Sequence, residues 1–253
     1  VGKNLFTEDE DGELVSLNSF RNGKDEAIGI GDEIEKLKKK YSLNDISILV
    51  RAIFQTREFE ERFLKIGIPY RIIGGIKFYE RAEIKDCIAY LRLVYQNKDD
   101  LSFERIINVP KRSIGETTIR QISEFAKKNN VSLEISAMSL IEQNKIKPKT
   151  KLGLNSFLKL LNKWRNDFSL KRIGHIKLIQ TILDESGYSK MLKDKKDLEN
   201  ENRLENIKEL INAMKEYDNL ESFLEHVALA TSLDQDWEDR KVNLMTMHAS
   251  KGL

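Results

Sequence analysis

A single cysteine, Cys87, is the entire thiol content of this 253-residue chain. One thiol excludes an intrachain disulfide and a cysteine-rich zinc site. The plain reading of Cys87 is a small buried apolar residue on a helix. Histidine is nearly as scarce. His175, His226 and His248 are scattered without ligand spacing, so no metal site is expected. No apolar run approaches the roughly 18–20 residues that span a bilayer, and no signal-peptide pattern opens the sequence. No membrane association is expected, and a reducing compartment follows, most simply the cytoplasm. Nor does one sign of charge dominate: 43 Lys and Arg oppose 41 Asp and Glu, for a net charge of +2. Any attraction to nucleic acid must come from local patches.

Also missing is the phosphate loop G-x-x-x-x-G-K-[ST], whose backbone amides and lysine cradle phosphate oxygens. The Gly-Lys pairs Gly2-Lys3 and Gly23-Lys24 are followed by Asn4 and Asp25 and lack the preceding glycine. Gly29-Ile30-Gly31 has no third glycine at the right spacing and no strand feeding it. No acidic metal-binding strand of the Walker B kind appears. There is no fixed-period repeat and no low-complexity tract. The chain starts at Val1 without methionine and stops at Leu253 just after a strand-like run, so both ends read as cuts from a longer protein.

What is present is 40% hydrophobic and 33% charged residues, well mixed, enough for one or two domains. The first seventy residues read as α/β. Leu14-Val15-Ser16-Leu17 suggests a strand, and residues 24–40 a charged helix ending in three lysines that suit its negative end. Ile46–Val50 reads as a buried strand. A helix follows with Phe59, Phe63 and Ile66 on one face and Glu58, Glu61, Arg62 and Lys65 on the other, capped by Gly67 and stopped by Pro69. Tyr70–Ile73 reads as the next strand, completing a βαβ unit.

After Gly74-Gly75 the pattern turns almost wholly helical. Ile84, Ile88, Leu91 and Tyr95 form one stripe. Further helices are predicted near 101–108, 116–128, 131–144, 152–169, 175–186, 198–217 and 219–230. Leu204, Ile207, Ile211 and Met214 mark the inner face of the penultimate one, and Trp164 joins a core stripe with Leu161 and Phe168. Thr231–Arg240, with Trp237, reads as an acidic connector. Val242–Thr246 reads as a strand again. An α/β segment is therefore interrupted by a helical insertion of about 165 residues and then resumes.

Three stretches carry a family resemblance. Pro69-Tyr70-Arg71-Ile72-Ile73-Gly74-Gly75-Ile76-Lys77-Phe78-Tyr79-Glu80-Arg81-Ala82-Glu83-Ile84-Lys85-Asp86 is the first. Asn108-Val109-Pro110-Lys111-Arg112-Ser113-Ile114-Gly115-Glu116-Thr117-Thr118 is the second. Val242-Asn243-Leu244-Met245-Thr246-Met247-His248-Ala249-Ser250-Lys251-Gly252-Leu253 is the third, and Leu5-Phe6-Thr7-Glu8 also fits. In this order they resemble an internal piece of the UvrD/Rep/PcrA-type superfamily 1 DNA helicases. The resemblance covers essentially the whole chain. It implies a mainly α protein with an α/β part: a helical 2B-type insertion, residues 74–240, within a partial RecA-like (P-loop NTPase fold) 2A domain, residues 1–73, with 241–253 as the return strand and the start of motif V. The parent would be an ATP-dependent 3′–5′ DNA helicase using ATP and Mg2+. Its 2B part would grip the duplex at a single-strand/double-strand junction. This fragment alone would bind no nucleotide and would be inactive, because it has no phosphate loop; the resemblance also places the family's arginine motif and the Glu-Phe after Lys-Gly-Leu beyond Leu253.

The turn Lys111-Arg112-Ser113-Ile114-Gly115 opens onto a helix at Glu116, where backbone amides and the positive helix end favour phosphate. Lys111 and Arg112 add charge, and Thr117 and Thr118 add hydroxyls; such contacts position DNA without reading sequence. The plain alternative is an ordinary interhelical turn with solvated cations. The family has Gly-Ile-Gly where this chain has Ser113-Ile114-Gly115, and a left-handed backbone is less comfortable for serine. Thr246, His248, Ser250, Lys251 and Gly252 follow a strand's C-terminal end, where open α/β sheets bind ligands. In the family this loop couples DNA binding to the nucleotide state. Gly74 and Gly75 are read either as a hinge between motor and insertion or as a strand-end turn. Arg81, Glu83, Lys85 and Asp86 are read as part of that hinge segment, with a solvated helix face as the plain alternative. A competing function is a protein-interaction module that docks repair or replication proteins through helical faces. A nuclease or transferase is disfavoured, since no carboxylate or histidine constellation converges.

Overall fold

The computed structural model describes residues 12–194, 197–232 and 240–252. Its sheet has three parallel strands, β1 (Ser47–Val50), β2 (Tyr70–Ile73) and β3 (Val242–Thr246), in the order β1-β3-β2. The strand that comes last in sequence thus lies between the first two. Ser47 is paired with Asn243 and Val50 with Thr246 on one side, and Tyr70 with Val242 and Ile73 with Met245 on the other. The buried Asn243 side chain holds this arrangement: it accepts from Arg71 Nε at 2.6 Å and donates to Asn44 O at 3.0 Å. A buried polar group so satisfied fixes register, because a slip would orphan it.

Helices α1 (Gly23–Leu37) and α2 (Thr56–Ile66) pack on the sheet through Ala27, Ile34, Phe59 and Phe63. Asn22 caps α1 by accepting from Asp25 N at 2.8 Å. Gly31 lies where α1 meets α2, since a Cβ there would stand 3.0 Å from the Arg62 side chain. Gly67 ends α2 with φ 67°, as predicted for a glycine cap.

Two expectations fail here. Leu14, Val15 and Leu17 form no strand and are almost fully exposed, because none of the three strands pairs with them. β1 is not a buried strand either. It is an edge whose one neighbour among the described residues is β3, and Leu49 on its open face is 52% exposed.

Between β2 and β3 the described chain is helical: α3 (Ala82–Tyr95), α4 (Asp100–Ile106), α5 (Glu116–Asn129), α6 (Leu133–Glu142), α7 (Pro148–Ser169), α8 (His175–Glu185), α9 (Tyr188–Asp194), α10 (Leu198–Met214) and α11 (Leu220–Ser232). Asp99, Ser132 and Asp197 cap α4, α6 and α10 through their side chains, and Pro148 opens α7 at its first position. The short α9 was not predicted; it follows α8 after Gly187, whose φ is 79°. α3 is the hub, packed against α4, α7, α8, α10 and α11. It is buried on nearly every side, which is why its apolar stripe reads poorly as one face. Cys87 and Trp164 are both fully buried. These helices share one hydrophobic core, from Phe78 to Val227, separate from the core formed by α1, α2 and the sheet. Trp237 and most of the expected connector lie outside the described residues.

Candidate nucleic-acid interface and the sheet junction

α4 ends at Ile106 and the chain turns through a cis Val109–Pro110 bond toward α5. Asn108 shapes the turn by accepting from the amides of Arg112 (2.7 Å) and Ile114 (3.3 Å). Ile114 is buried and anchors it. Ser113 has φ 61°, the left-handed backbone anticipated as the strained point of the serine substitution.

Arg112 corrects the reading of two solvated cations. Its guanidinium turns inward, donating from Nη1 to the carbonyls of Ile106, Ile107 and Val109 at 2.7–3.1 Å and from Nη2 to Tyr90 Oη at 2.6 Å. It also lies over the Phe157 ring, 4.6 Å from its centroid. The cause is the C-terminal end of α4, where carbonyls without helical partners attract a cation with many donors. Lys111, one residue earlier, is exposed.

At the head of α5, Gly115 accepts from the amides of Thr118 and Ile119. The amides of Gly115, Glu116 and Thr117 meet no acceptor among the described residues. Gly115 has open space on its Cβ side, Thr117 is exposed and Thr118 half-buried. The turn is braced by α7: Thr150 Oγ1 donates to Ser113 O at 2.9 Å, and a Cβ on Gly153 would stand 2.1 Å from Arg112 O.

Thr246 ends β3, and its Oγ1 accepts from Ala249 N at 3.3 Å. Ser250 Oγ donates to Met247 O, and Lys251 N to His248 O, within a short 3-10 turn of Ala249–Gly252. The side chains of His248 and Lys251 are exposed and bond nothing among the described residues. Gly74 has φ 70°, and a Cβ on it would lie 3.2 Å from Ala249 Cβ. A Cβ on Gly75 would meet Ile72 at 2.9 Å and Ile53 at 3.1 Å. Gly74 therefore meets the Thr246–Gly252 turn at the C-terminal edge of the sheet, whereas Gly75 packs against Ile72 and Ile53. The Lys111–Thr118 turn belongs instead to the helical core through Ile114.

Sequence reasoning missed the polar contacts that join the two cores. Arg57, 3% exposed, donates from Nε to Glu209 on α10 at 2.6 Å and from Nη2 to Glu58 at 2.5 Å. Arg81 donates to Asn206 on α10 (2.8 Å), to Thr56 Oγ1 (2.9 Å) and to the carbonyls of Ile53 and Ile76 (both 3.2 Å). Asn206 in turn donates to Glu83 at 2.6 Å. Glu60, beside Arg81, accepts from Thr56 Oγ1 and Phe78 N; burial pushes its carboxyl above the usual range, with Arg81 opposing. Glu61 accepts from Tyr79 at 2.6 Å and has His226 Nε2 of α11 2.8 Å away. Burial opposes ionisation of Glu61, yet these partners hold its carboxyl below the usual range. The plain alternative, a solvated helix face, does not hold: Arg81, Glu83 and Asp86 are buried and only Lys85 is exposed. Asp86 accepts from Arg105 and Tyr188, each at 2.8 Å. Nothing in apolar periodicity marks such residues, because it counts charged side chains as outward.

The family model described as UvrD-like helicase C-terminal domain matches residues 1–253. A probable DNA helicase II homolog of Rickettsia felis is 40% identical over 257 residues, covering 100% of this chain and 39% of that protein. The ATP-dependent DNA helicase PcrA of Bacillus subtilis is 38% identical over 266 residues, covering 99% of this chain and 36% of that protein. PcrA of Staphylococcus aureus is 35% identical over 262 residues. The chain therefore spans under two-fifths of the length of these relatives.

Proposed function

The chain belongs to the UvrD-like helicase C-terminal domain family, and from that premise we propose that it is the DNA-contacting, regulatory portion of an ATP-dependent 3′–5′ DNA helicase of repair or replication. In this reading residues 1–73 and 241–253 are parts of the 2A motor domain and 74–240 the 2B insertion. The two separate hydrophobic cores and the return of β3 between β1 and β2 support that division. Gly74 and Gly75 act as the hinge, and Thr246, His248, Ser250, Lys251 and Gly252 as the loop that couples DNA to the motor. Movement at the hinge must break or re-form the Arg57 and Arg81 contacts with α10.

ATP and magnesium belong to the rest of the parent. The basis for this reading is that the sequence has no phosphate loop. No helix among them is long and apolar enough to cross a membrane.

The observation that carries the DNA reading is the exposed head of α5, with its three open amides, beside Lys111. Lys111, Ser113, Gly115, Thr117 and Thr118 would meet phosphates of a duplex without reading its sequence. Arg112 and Ile114 hold the turn in shape rather than touching DNA. Titrating a fluorescent duplex at several salt concentrations tests this. Lys111→Ala should lower the slope of log affinity against log salt by about 0.9 for all duplex sequences. An unchanged slope would remove this turn from the interface.

One observation favours the second reading, a protein-docking module. A groove of about 810 Å3 runs between α3, α6 and α7, with Ile135 and Met138 each about two-fifths exposed on its wall. An apolar dock would bind with little salt dependence, the opposite of phosphate contacts.

A further inference from the structure

Glu83, Asp86 and Tyr90 stand at i, i+3 and i+7 on α3, so they share one face of the helix over about 10 Å. All three are buried. Each is held from a different part of the fold. Glu83 accepts from Asn206 of α10, whose side-chain oxygen accepts in turn from Arg81 at the sheet joint. Asp86 accepts from Arg105 of α4 and from Tyr188 of α9. Tyr90 reaches the turn between α4 and α5: its hydroxyl donates to Val109 O and accepts from Arg112 Nη2 at 2.6 Å.

A purely apolar face would let α3 shift along its neighbours at small cost. Buried polar groups do not, because a displacement leaves a donor or acceptor without a partner where water cannot replace it. α3 is therefore pinned at three heights, with the sheet joint at one end of this face and the turn at the other. Tyr90 is the last pin. Its one hydroxyl proton serves Val109 and a lone pair serves Arg112. Burial pushes the phenol's pKa up, with Arg112 opposing, so the proton stays in place. The ring is set by edge contacts with Trp164 of α7 and with Tyr188, at centroid distances of 6.0 and 6.5 Å. The carbonyl and the guanidinium that Tyr90 holds bracket Pro110 and Lys111, so one hydroxyl fixes both ends of the segment that presents the lysine.

We propose that Tyr90 is a positioning residue for the turn that presents Lys111, and that the Glu83–Asp86–Tyr90 face of α3 ties the shape of that turn to the arrangement at the Arg81 joint. The proposal rests on the duplex reading of the turn and adds the device that sets its shape.

Amide hydrogen exchange by NMR in the full chain tests it, beside titration of a short fluorescent duplex at one low salt concentration. Tyr90→Phe keeps the ring and removes the hydroxyl. Exchange at the amides of Arg112 and Ile114 should quicken about three- to tenfold, the scale of one lost hydrogen bond, while the amides of α7 keep the wild-type rate. A merely structural loss would quicken both alike and overturn the positioning role. Duplex affinity should fall by a similar factor. Tyr95→Phe, at the exposed end of the same helix, should change neither. Arg112→Lys, which keeps a cation but not the second arm of the fork, is the second variant and should quicken the Ile114 amide alike. Wild-type rates at the turn in both variants overturn the positioning role. Asn206→Ala reads the far end of the face. It should quicken the same two amides in the wild-type background and add nothing in Tyr90→Phe. Additive effects, or none from Asn206→Ala, overturn the tie to the joint. If Tyr90→Phe quickens the turn amides while neither it nor Lys111→Ala alters duplex affinity, the positioning role stands and the duplex reading fails. If Lys111→Ala weakens duplex binding while Tyr90→Phe changes neither exchange nor affinity, the duplex reading stands and the positioning role falls.

Discussion

Arg112 follows a lysine and precedes a helix, and in sequence it is indistinguishable from a second phosphate contact. Its environment decides otherwise, because three carbonyls, a tyrosine hydroxyl and an aromatic face surround its guanidinium. Arg112→Ala should therefore lower the unfolding free energy by about 2–3 kcal/mol, since several polar partners lose their donor. Urea unfolding reads this directly, and a loss below about 0.5 kcal/mol, typical of a surface cation, would refute the inward role. The same lesson holds for Arg57, Arg81 and Glu60, each under 6% exposed. Their burial depends on partners more than 120 residues away in α10, or on the chain folding back from Phe78, and no local window contains both ends. Glu61 gives a pH signature. Its carboxyl sits below the ordinary value of 4.5 in the fold, so it binds fewer protons folded than unfolded. Its contribution is present above that value and is lost as pH falls through the folded value. Glu61→Gln should destabilise the protein at neutral pH, and the gap from wild type should narrow below about pH 4.5. A gap constant from pH 7 to pH 3 would show that the His226 and Tyr79 contacts do not favour the charged form.

Elements with one buried face were legible: α2, α10 and β2 lie where their patterns put them, β2 with the expected bounds. β1 was placed but misjudged as buried, since a run of apolar residues does not tell an edge from a centre. α9 escaped because seven residues hold too few turns for a stripe. α7 hides its own lesson. Gly153 sits inside this helix, where propensity alone says alanine would be better by about 1 kcal/mol. The structure reverses the sign, because the new Cβ would fall 2.1 Å from the Arg112 carbonyl, a backbone atom that cannot swing aside. Gly153→Ala should destabilise by about 1–3 kcal/mol, the range of overpacked sites, and should also weaken duplex binding by displacing the Lys111 turn. A stabilised variant would show that α7 and the turn are not held together as described.

At the scale of the whole molecule, the chain leaves the sheet at Gly74 and returns at Val242, so two hydrophobic cores are joined mainly by polar contacts. The helical segment between β2 and β3 could be read from the change of period after Gly75; the polar joint could not. The joint matters more than its size suggests. Arg81 alone bonds Ile53 O and Thr56 on one side and Asn206 on the other, with almost no water. Removing a buried cation leaves Glu60 and Glu83 without its compensation, which costs about 3–5 kcal/mol. Arg81 lies over the Phe78 ring, 5.1 Å from its centroid, but is a member of neither hydrophobic cluster. The loss should therefore fall on the coupling between the cores. Arg81→Ala should convert one cooperative unfolding transition into two: a helix-dominated one from the segment between β2 and β3 and a smaller one from the sheet and its two helices. Residues 74–240 made as a separate chain should melt with the first of these and show helical far-UV dichroism. Calorimetry of the variant beside that chain checks it. A single transition in Arg81→Ala with unchanged width would mean that the cores are coupled by something other than this arginine.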